Sequence, residues 1–166
     1  METTLIDFSN PDAVLPWQAI DDRVMGGVSR SRLRHDPEGH AVFKGEVSFD
    51  NGGGFASLRN AEFAIDSLDA SALLLEVRGD GKRYKLNLRT DDAYDGINYQ
   101  AAFHPPAGVW SNITLPLAAF VPTFRDRVLA DAPPLDAAKV RQIGLLIGDR
   151  QQGVFALALR RVSVQG

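Results

Sequence analysis

The chain has 166 residues, of which 45% are hydrophobic and 23% charged, and its formal net charge is -3. A chain of this length can bury about 70% of the surface that it exposes when unfolded, so a single domain over residues 1–166 is expected. The charge balance offers no basic excess for a nucleic-acid partner, and the absence of cysteine excludes disulfides, thiolate nucleophiles and iron–sulfur clusters.

The first residues, 1–8, contain no basic segment followed by an apolar one. Elsewhere in the sequence no stretch reaches the roughly 18 apolar residues of a membrane span. This pattern predicts a soluble protein without a transmembrane segment, in the cytoplasm or a matrix-like compartment, and we take the cytoplasm as the prediction.

Hydrophobic residues recur with a period of two along most of the chain, which indicates strands with one buried and one solvated face. About ten strands are predicted, at residues 5–8, 28–34, 41–49, 55–59, 73–77, 84–89, 97–104, 110–115, 143–148 and 154–164. So many strands with almost no helix imply an all-β sandwich of two packed sheets. In the last strand, Phe155, Leu157 and Leu159 are expected to point into the core.

The connections are short, as a meander or Greek key requires. Turn residues such as Gly, Pro and Asp cluster at positions 36–39, 79–81, 95–96 and 105–108. The segment 116–142 is the exception. One helical turn is predicted at residues 117–120, and Asp136 is predicted to cap a short helix that runs to Gln142.

Polar residues of neighbouring strands are predicted to share the face of a sheet that points away from the core. They are Lys85, Asn87, Arg89, Asn98 and Gln100, with Arg59 as a further candidate. Amide and guanidinium groups on a rigid sheet, flanked by an aromatic such as Trp17 or Trp110, suit a sugar or peptide cleft. A solvated sheet face without a ligand is the alternative, and the sequence leaves both open.

Two glycine-containing motifs, residues 17–31 and 51–59, suggest a shaped edge, because glycine serves where the backbone needs positive φ or where another group approaches closely. Strands rather than a helix follow them, so a phosphate-binding loop is not predicted. If Asp22 or Asn51 is buried against Arg59, these residues form a latch between the two motifs. Direct ligand contact by the same residues is the alternative.

Metal and catalytic signatures are weak. The three histidines, His35, His40 and His104, show neither an H-x-H nor an i, i+4 spacing, so no metal site and no cofactor are predicted. Adjacent strand residues point to opposite faces, so the aspartates at 21–22 and 91–95 are interpreted as turn residues rather than a catalytic dyad, with calcium ligation as the alternative. The segment 27–29 lacks the G-x-S-x-G pattern of a nucleophilic serine.

A series of motifs runs along nearly all 166 residues. Its members are Trp17, Asp22, residues 25–29, Phe43, Gly45, residues 53–57, Arg59, residues 79–81, Tyr84, Tyr99, Gln100, Phe103, Trp110, Leu115, Pro116, Phe120, Pro122, residues 143–147 and residues 153–155. In this order the chain resembles the complex I intermediate-associated protein 30 family. The resemblance implies a galactose-binding-like β-sandwich of jelly-roll type with two antiparallel sheets, an architecture shared with many carbohydrate-binding modules.

The resemblance also implies a function. Mitochondrial members of the family are assembly factors that associate with intermediates of respiratory complex I, so it implies a non-enzymatic chaperone that acts through protein–protein contacts. No catalytic residue is carried over. This sequence lacks the Arg-rich, Ser-rich transit peptide of those members, in line with the cytoplasmic prediction. A carbohydrate-binding module is the alternative, and a solvent-facing Trp17 or Tyr99 would favour it.

Overall fold

The computed structural model describes residues 2–21, 26–65, 69–91, 96–124 and 127–166, and most of their regular structure is β. Within this part of the chain the strands are β1 (Glu2–Asp7), β2 (Trp17–Ala19), β3 (Arg30–Asp36), β4 (His40–Val47), β5 (Ala56–Asn60), β6 (Ala72–Arg78), β7 (Tyr84–Arg89), β8 (Asn98–Phe103), β9 (Trp110–Pro116), β10 (Val121–Phe124), β11 (Arg127–Val128), β12 (Gln142–Ile147) and β13 (Gly153–Gln165). Short 3-10 helices lie at Pro11–Val14, Asp50–Gly52, Leu117–Ala119 and Ala137–Lys139. No helix in these described segments is long and apolar enough to span a membrane.

The strands form two antiparallel sheets. Sheet 1 has the order β3-β4-β13-β6-β9, with β1 paired to the end of β13, and sheet 2 has the order β11-β10-β8-β7-β12-β5-β2. The predicted all-β sandwich with two packed antiparallel sheets is therefore confirmed. Strand β13 is central to sheet 1, because it pairs with β4 along its first half and with β1 along its second.

The core lies between the sheets and is built by the predicted alternation. On β13, Phe155, Leu157 and Leu159 point inward as expected, and Leu157 lies opposite Phe43 of β4. Sheet 2 contributes the inward residues of β7, Tyr84, Leu86 and Leu88, which are almost completely buried. Burying each side chain of this size contributes about 1.5–3 kcal/mol to the free energy of folding. The core therefore determines which face of each strand points away from it.

Three short strands were not predicted. Strands β2, β10 and β11 have two to four residues each, too few to establish a period of two, and Pro122 interrupts the strand pattern of β10. The predicted turn at 117–120 is confirmed as a 3-10 helix. Asp136 caps the 3-10 helix Ala137–Lys139, as predicted, by accepting a bond from the Ala138 backbone N–H at 3.1 Å. This helix ends at Lys139 and does not run to Gln142, because β12 begins there.

Candidate functional site

The candidate site is the surface of sheet 2 that points away from the core. We call it the polar face, and its members are Arg59, Lys85, Asn87, Arg89, Asn98, Gln100, Thr123, Gln142 and Gly144. Strand register places them side by side: Asn87 lies opposite Gln100 on one side and opposite Gly144 on the other, and Gly144 lies opposite Arg59. The sequence thus predicted the charged and amide members of this face correctly as neighbours, while Thr123, Gln142 and Gly144 were not singled out.

Hydrogen bonds fix the orientation of four of these side chains. The Gln100 Nε2 group donates to Asn87 Oδ1 at 2.8 Å, and the Arg89 Nε group donates to Asn98 Oδ1 at 2.8 Å. The two bonds cross from β7 to β8 at successive positions of the same face. The polar groups are therefore held in place before any ligand arrives, which lowers the entropic cost of binding.

The Asn87–Gln100 pair keeps hydrogen-bonding capacity for a ligand. A side-chain amide has two N–H donors and one acceptor oxygen, and the mutual bond uses only the Asn87 oxygen and one Gln100 N–H. Within the described segments these two amides make no other side-chain bond. Donor N–H groups of Asn87 and the acceptor oxygen of Gln100 remain, and together they complement a peptide group.

Gly144 lies at the floor of the polar face, between Arg59 and Asn87. A Cβ atom at this position would lie 2.8 Å from the Leu58 carbonyl oxygen and 3.7 Å from Asn87 Cβ. The first distance is too short for any side chain, so the close approach of β5 to β12 requires glycine. Gly144 is itself buried, and it adds no side chain to the middle of the polar face.

Several members of the polar face are almost fully buried. Asn87, Arg89 and Gln142 are only 9%, 5% and 4% exposed although they point away from the core. Gln142 Nε2 donates to the Asp91 carbonyl oxygen at 2.7 Å, which ties β12 to the segment that follows β7. On the same face, the exposed Val121 lies opposite Gln100. The polar face therefore combines oriented polar groups with an exposed apolar residue.

Three cationic residues, Arg59, Lys85 and Arg89, belong to the polar face. Lys85 Nζ lies 3.1 Å from Asp149 Oδ1 in a partly exposed ion pair. Such a pair stabilises a protein by at most about 1 kcal/mol, so an acidic group of a partner can replace Asp149 beside Lys85. The polar face is thus chemically suited to a partner that presents peptide groups together with acidic side chains.

The two glycine motifs are joined by Asp21. Its carboxylate accepts bonds from the Ser31 backbone N–H at 3.0 Å, from Ser31 Oγ at 2.6 Å and from the Ser57 backbone N–H at 2.9 Å. Asp21 is 7% exposed, and Ser57 Oγ donates to the carbonyl of Ile20. A latch between residues 17–31 and 51–59 therefore exists, and it is centred on Asp21.

Of the three residues that the sequence named for the latch, the structure describes Asn51 and Arg59. Asp22 lies outside the described residues, as do Asp92 and Asp95. Asn51 is exposed and has a left-handed backbone with φ 57, which suits a turn. Arg59 is half-buried on the polar face. Sequence reasoning missed Asp21 because its partners are 10 and 36 residues away in the chain.

A second structural carboxylate explains the motif at residues 79–81. Asp80 accepts a bond from the Tyr84 hydroxyl at 3.0 Å and from the Ala156 backbone N–H at 2.8 Å. Burial, followed by the charge of Asp80, raises the pKa of Tyr84, so the hydroxyl stays protonated and remains a donor. Asp80 therefore ties β7 of sheet 2 to β13 of sheet 1.

The aromatic residues named as sugar platforms do not form one. Trp17 is 8% exposed and its ring lies 6.2 Å from that of Phe8 in the core. Tyr99 is 3% exposed and its hydroxyl donates to the Pro133 carbonyl at 2.9 Å. Trp110 lies on sheet 1, where the Arg160 guanidinium stacks 3.9 Å from its ring centroid. None of the three presents an open ring plane to the polar face.

Comparison with known families supports the sequence resemblance. The family model described as Complex I intermediate-associated protein 30 matches residues 6–159. An uncharacterised protein of Schizosaccharomyces pombe is 28% identical over 88% of this chain and 76% of its own length. The mitochondrial complex I intermediate-associated protein 30 of Drosophila melanogaster is 24% identical over 99% of this chain and 63% of its own length.

Among solved structures, the fold is similar to the family 11 carbohydrate-binding module of Clostridium thermocellum, solved with a mixed-linked tetrasaccharide. The TM-score is 0.71 at 15% identity, and the match covers 99% of this chain and 95% of the module. At this identity the likeness concerns the fold, and it confirms the galactose-binding-like architecture.

The predicted cytoplasmic location is contradicted by these comparisons. Relatives from Drosophila melanogaster and Caenorhabditis elegans are named as mitochondrial proteins, the second as a probable one. The chain spans 63% and 46% of the length of these two proteins. The prediction relied on the composition of the first residues and on the lack of a long apolar stretch, and neither feature identifies a compartment.

Proposed function

Because this chain belongs to the complex I intermediate-associated protein 30 family, we propose that it is a non-enzymatic binding domain that assists the assembly of a protein complex. The partner is an assembly intermediate of a respiratory complex, as the names of the Drosophila and nematode relatives suggest. The contact is made by the polar face of sheet 2.

The observation that carries this proposal is the Asn87–Gln100 amide pair in the middle of the polar face. The pair offers N–H donors and a carbonyl acceptor from adjacent strands. A peptide group needs one acceptor for its N–H and one donor for its C=O, so an extended segment of a partner can be held through its backbone.

The surroundings of the pair support a protein partner. Val121 and Val128 are exposed at the rim formed by β10 and β11, and apolar residues beside oriented polar groups are typical of protein interfaces. Lys85 adds a cation whose ion pair with Asp149 is easily exchanged. The partner segment is therefore expected to combine an extended backbone, apolar side chains and acidic groups.

Carbohydrate binding is the second candidate, and one observation favours it. The similar module of Clostridium thermocellum was solved with a tetrasaccharide, and oriented amides can also bind sugar hydroxyls. Sugar recognition relies on an exposed aromatic plane, however, and both Trp17 and Tyr99 are buried. The protein partner is therefore the better supported of the two.

The proposal is tested by Asn87→Asp. This substitution keeps the oxygen that accepts from Gln100 and removes the donors that would face the partner. Crosslinked affinity purification of the full chain from its native cell is expected to recover respiratory-complex subunits with the wild type. Recovery should fall by about tenfold with Asn87→Asp, the effect of losing one well-placed hydrogen bond of ~1.5 kcal/mol.

The matched control is Asn112→Asp, the same change on the exposed strand β9 of sheet 1. It should recover as much as the wild type. Equal recovery with Asn87→Asp and wild type would contradict the use of the polar face. Binding to a glycan array without recovery of any respiratory-complex subunit would contradict the protein partner and support the carbohydrate reading.

A further inference from the structure

The hairpin between β3 and β4 brings together three potential metal ligands, Asp36, Glu38 and His40. One ligand atom from each lies within 4.8 Å of the other two. The turn is held rigidly, since the Glu38 backbone N–H donates to Asp36 Oδ1 at 2.9 Å and the Gly39 N–H donates to the Asp36 carbonyl at 3.0 Å. Gly39 has φ 94, a conformation that permits the tight return of the chain.

His40 is the unusual member of this group. It is only 3% exposed, and the Trp110 ring lies edge-on to it at 5.2 Å between centroids. His40 Nε2 is 4.0 Å from Asp36 Oδ2, which is too long for a hydrogen bond. In the described part of the chain no hydrogen bond reaches either ring nitrogen. Buried polar groups normally have a hydrogen-bond partner, and within the described residues this imidazole has none.

We propose that Asp36, Glu38 and His40 bind a divalent transition metal, with zinc as the preferred ion. Imidazole nitrogen and carboxylate oxygens are common zinc ligands, at about 2.0–2.2 Å from the ion. In a tetrahedral site two such ligand atoms lie about 3.4 Å apart. The distance of 4.0 Å between His40 Nε2 and Asp36 Oδ2 is therefore a few tenths of an ångström from a fit, and the exposed Glu38 side chain can turn to supply the third ligand.

The charges around the hairpin are compatible with a bound cation. Two carboxylates neutralise a divalent ion, while Arg160 is engaged by Glu76 at 3.2 Å and by the Trp110 ring. Burial is the largest cause that lowers the pKa of His40. A metal is coordinated by the neutral imidazole, so burial acts in the direction that coordination requires. Water completes the coordination shell on the exposed side.

The test is calorimetric titration of the chelator-treated full chain with zinc chloride at pH 7. We expect one zinc ion per chain and an affinity that falls about tenfold or more in both Glu38→Gln and Asp36→Asn, since each removes a ligand. Glu62→Gln, an exposed glutamate outside the hairpin, is the matched control and should leave the affinity within about twofold.

Because Glu38 is exposed, Glu38→Gln is expected to fold normally, and unchanged urea unfolding without zinc checks this. The absence of saturable zinc binding by the wild type would overturn the proposal. So would zinc binding that survives both substitutions, or that Glu62→Gln weakens as much as Glu38→Gln does, because either result describes nonspecific adsorption.

Discussion

At the scale of single residues, two carboxylates give the glycine-containing loops a structural role. Asp21 holds Ser31 and Ser57 together, and Asp80 holds Tyr84 and the backbone of Ala156. The sequence indicated that residues 17–31 and 51–59 belong together, and it named Asp22 or Asn51 with Arg59 as the link. Asp21 was not named for this role, because its partners Ser31 and Ser57 are 10 and 36 residues away in the chain and nothing in the local sequence points to them.

The role of Asp21 predicts the effect of Asp21→Ala. The partly buried backbone N–H groups of Ser31 and Ser57 would lose their acceptor, and the Ser31 hydroxyl would keep only its longer bond to the Ser57 carbonyl oxygen at 3.3 Å. We expect the free energy of unfolding, measured by urea titration, to fall by ~2–4 kcal/mol. Asp131→Ala, at an exposed aspartate, is the control and should cost under ~0.5 kcal/mol. A loss of the same small size for Asp21→Ala would show that the latch contributes little.

At the scale of elements, the long strands were predictable and the short ones were not. Strand β7 has the predicted bounds, because Tyr84, Leu86 and Leu88 give three clear repeats of the alternation. Strand β2 begins at Trp17 and ends after three residues, and β11 has only two. These short strands form because a neighbouring strand offers hydrogen-bond partners, so the periodicity of their own sequence cannot reveal them.

The packing of β12 against β5 predicts that alanine is more destabilising at Gly144 than at Gly148. Gly144→Ala would place Cβ 2.8 Å from the Leu58 carbonyl oxygen, whereas at Gly148 the nearest atom to a new Cβ is at an ordinary 3.5 Å. We expect Gly144→Ala to lower the free energy of unfolding by ~1–3 kcal/mol and Gly148→Ala to change it by under ~1 kcal/mol. Chemical denaturation of both variants checks this, and equal losses would contradict the close approach at the floor of the polar face.

At the scale of the whole molecule, the sequence predicted which side chains of β7 and β8 share the polar face but not which strand lies beside them. Alternation on β7 and β8 placed Asn87 and Gln100 on one surface. Gly144 lies opposite Asn87 on the other side, and it comes from a strand more than 40 residues later in the chain and carries no side chain to attract notice. The burial of Tyr99 follows from the alternation of β8, which places it on the face opposite Asn98 and Gln100, whereas Trp17 begins a strand of three residues that is too short to show a period.

The central claim is that the polar face of sheet 2 contacts a protein partner, and a photo-crosslinking amino acid at position 121 tests it most directly. Val121 is exposed at the rim of the polar face, while the exposed Val154 on β13 of sheet 1 is the matched control. In native cells, we predict crosslinks to respiratory-complex subunits from position 121 and none from position 154. Crosslinks to those subunits from position 154 alone, or from neither position, would contradict the account.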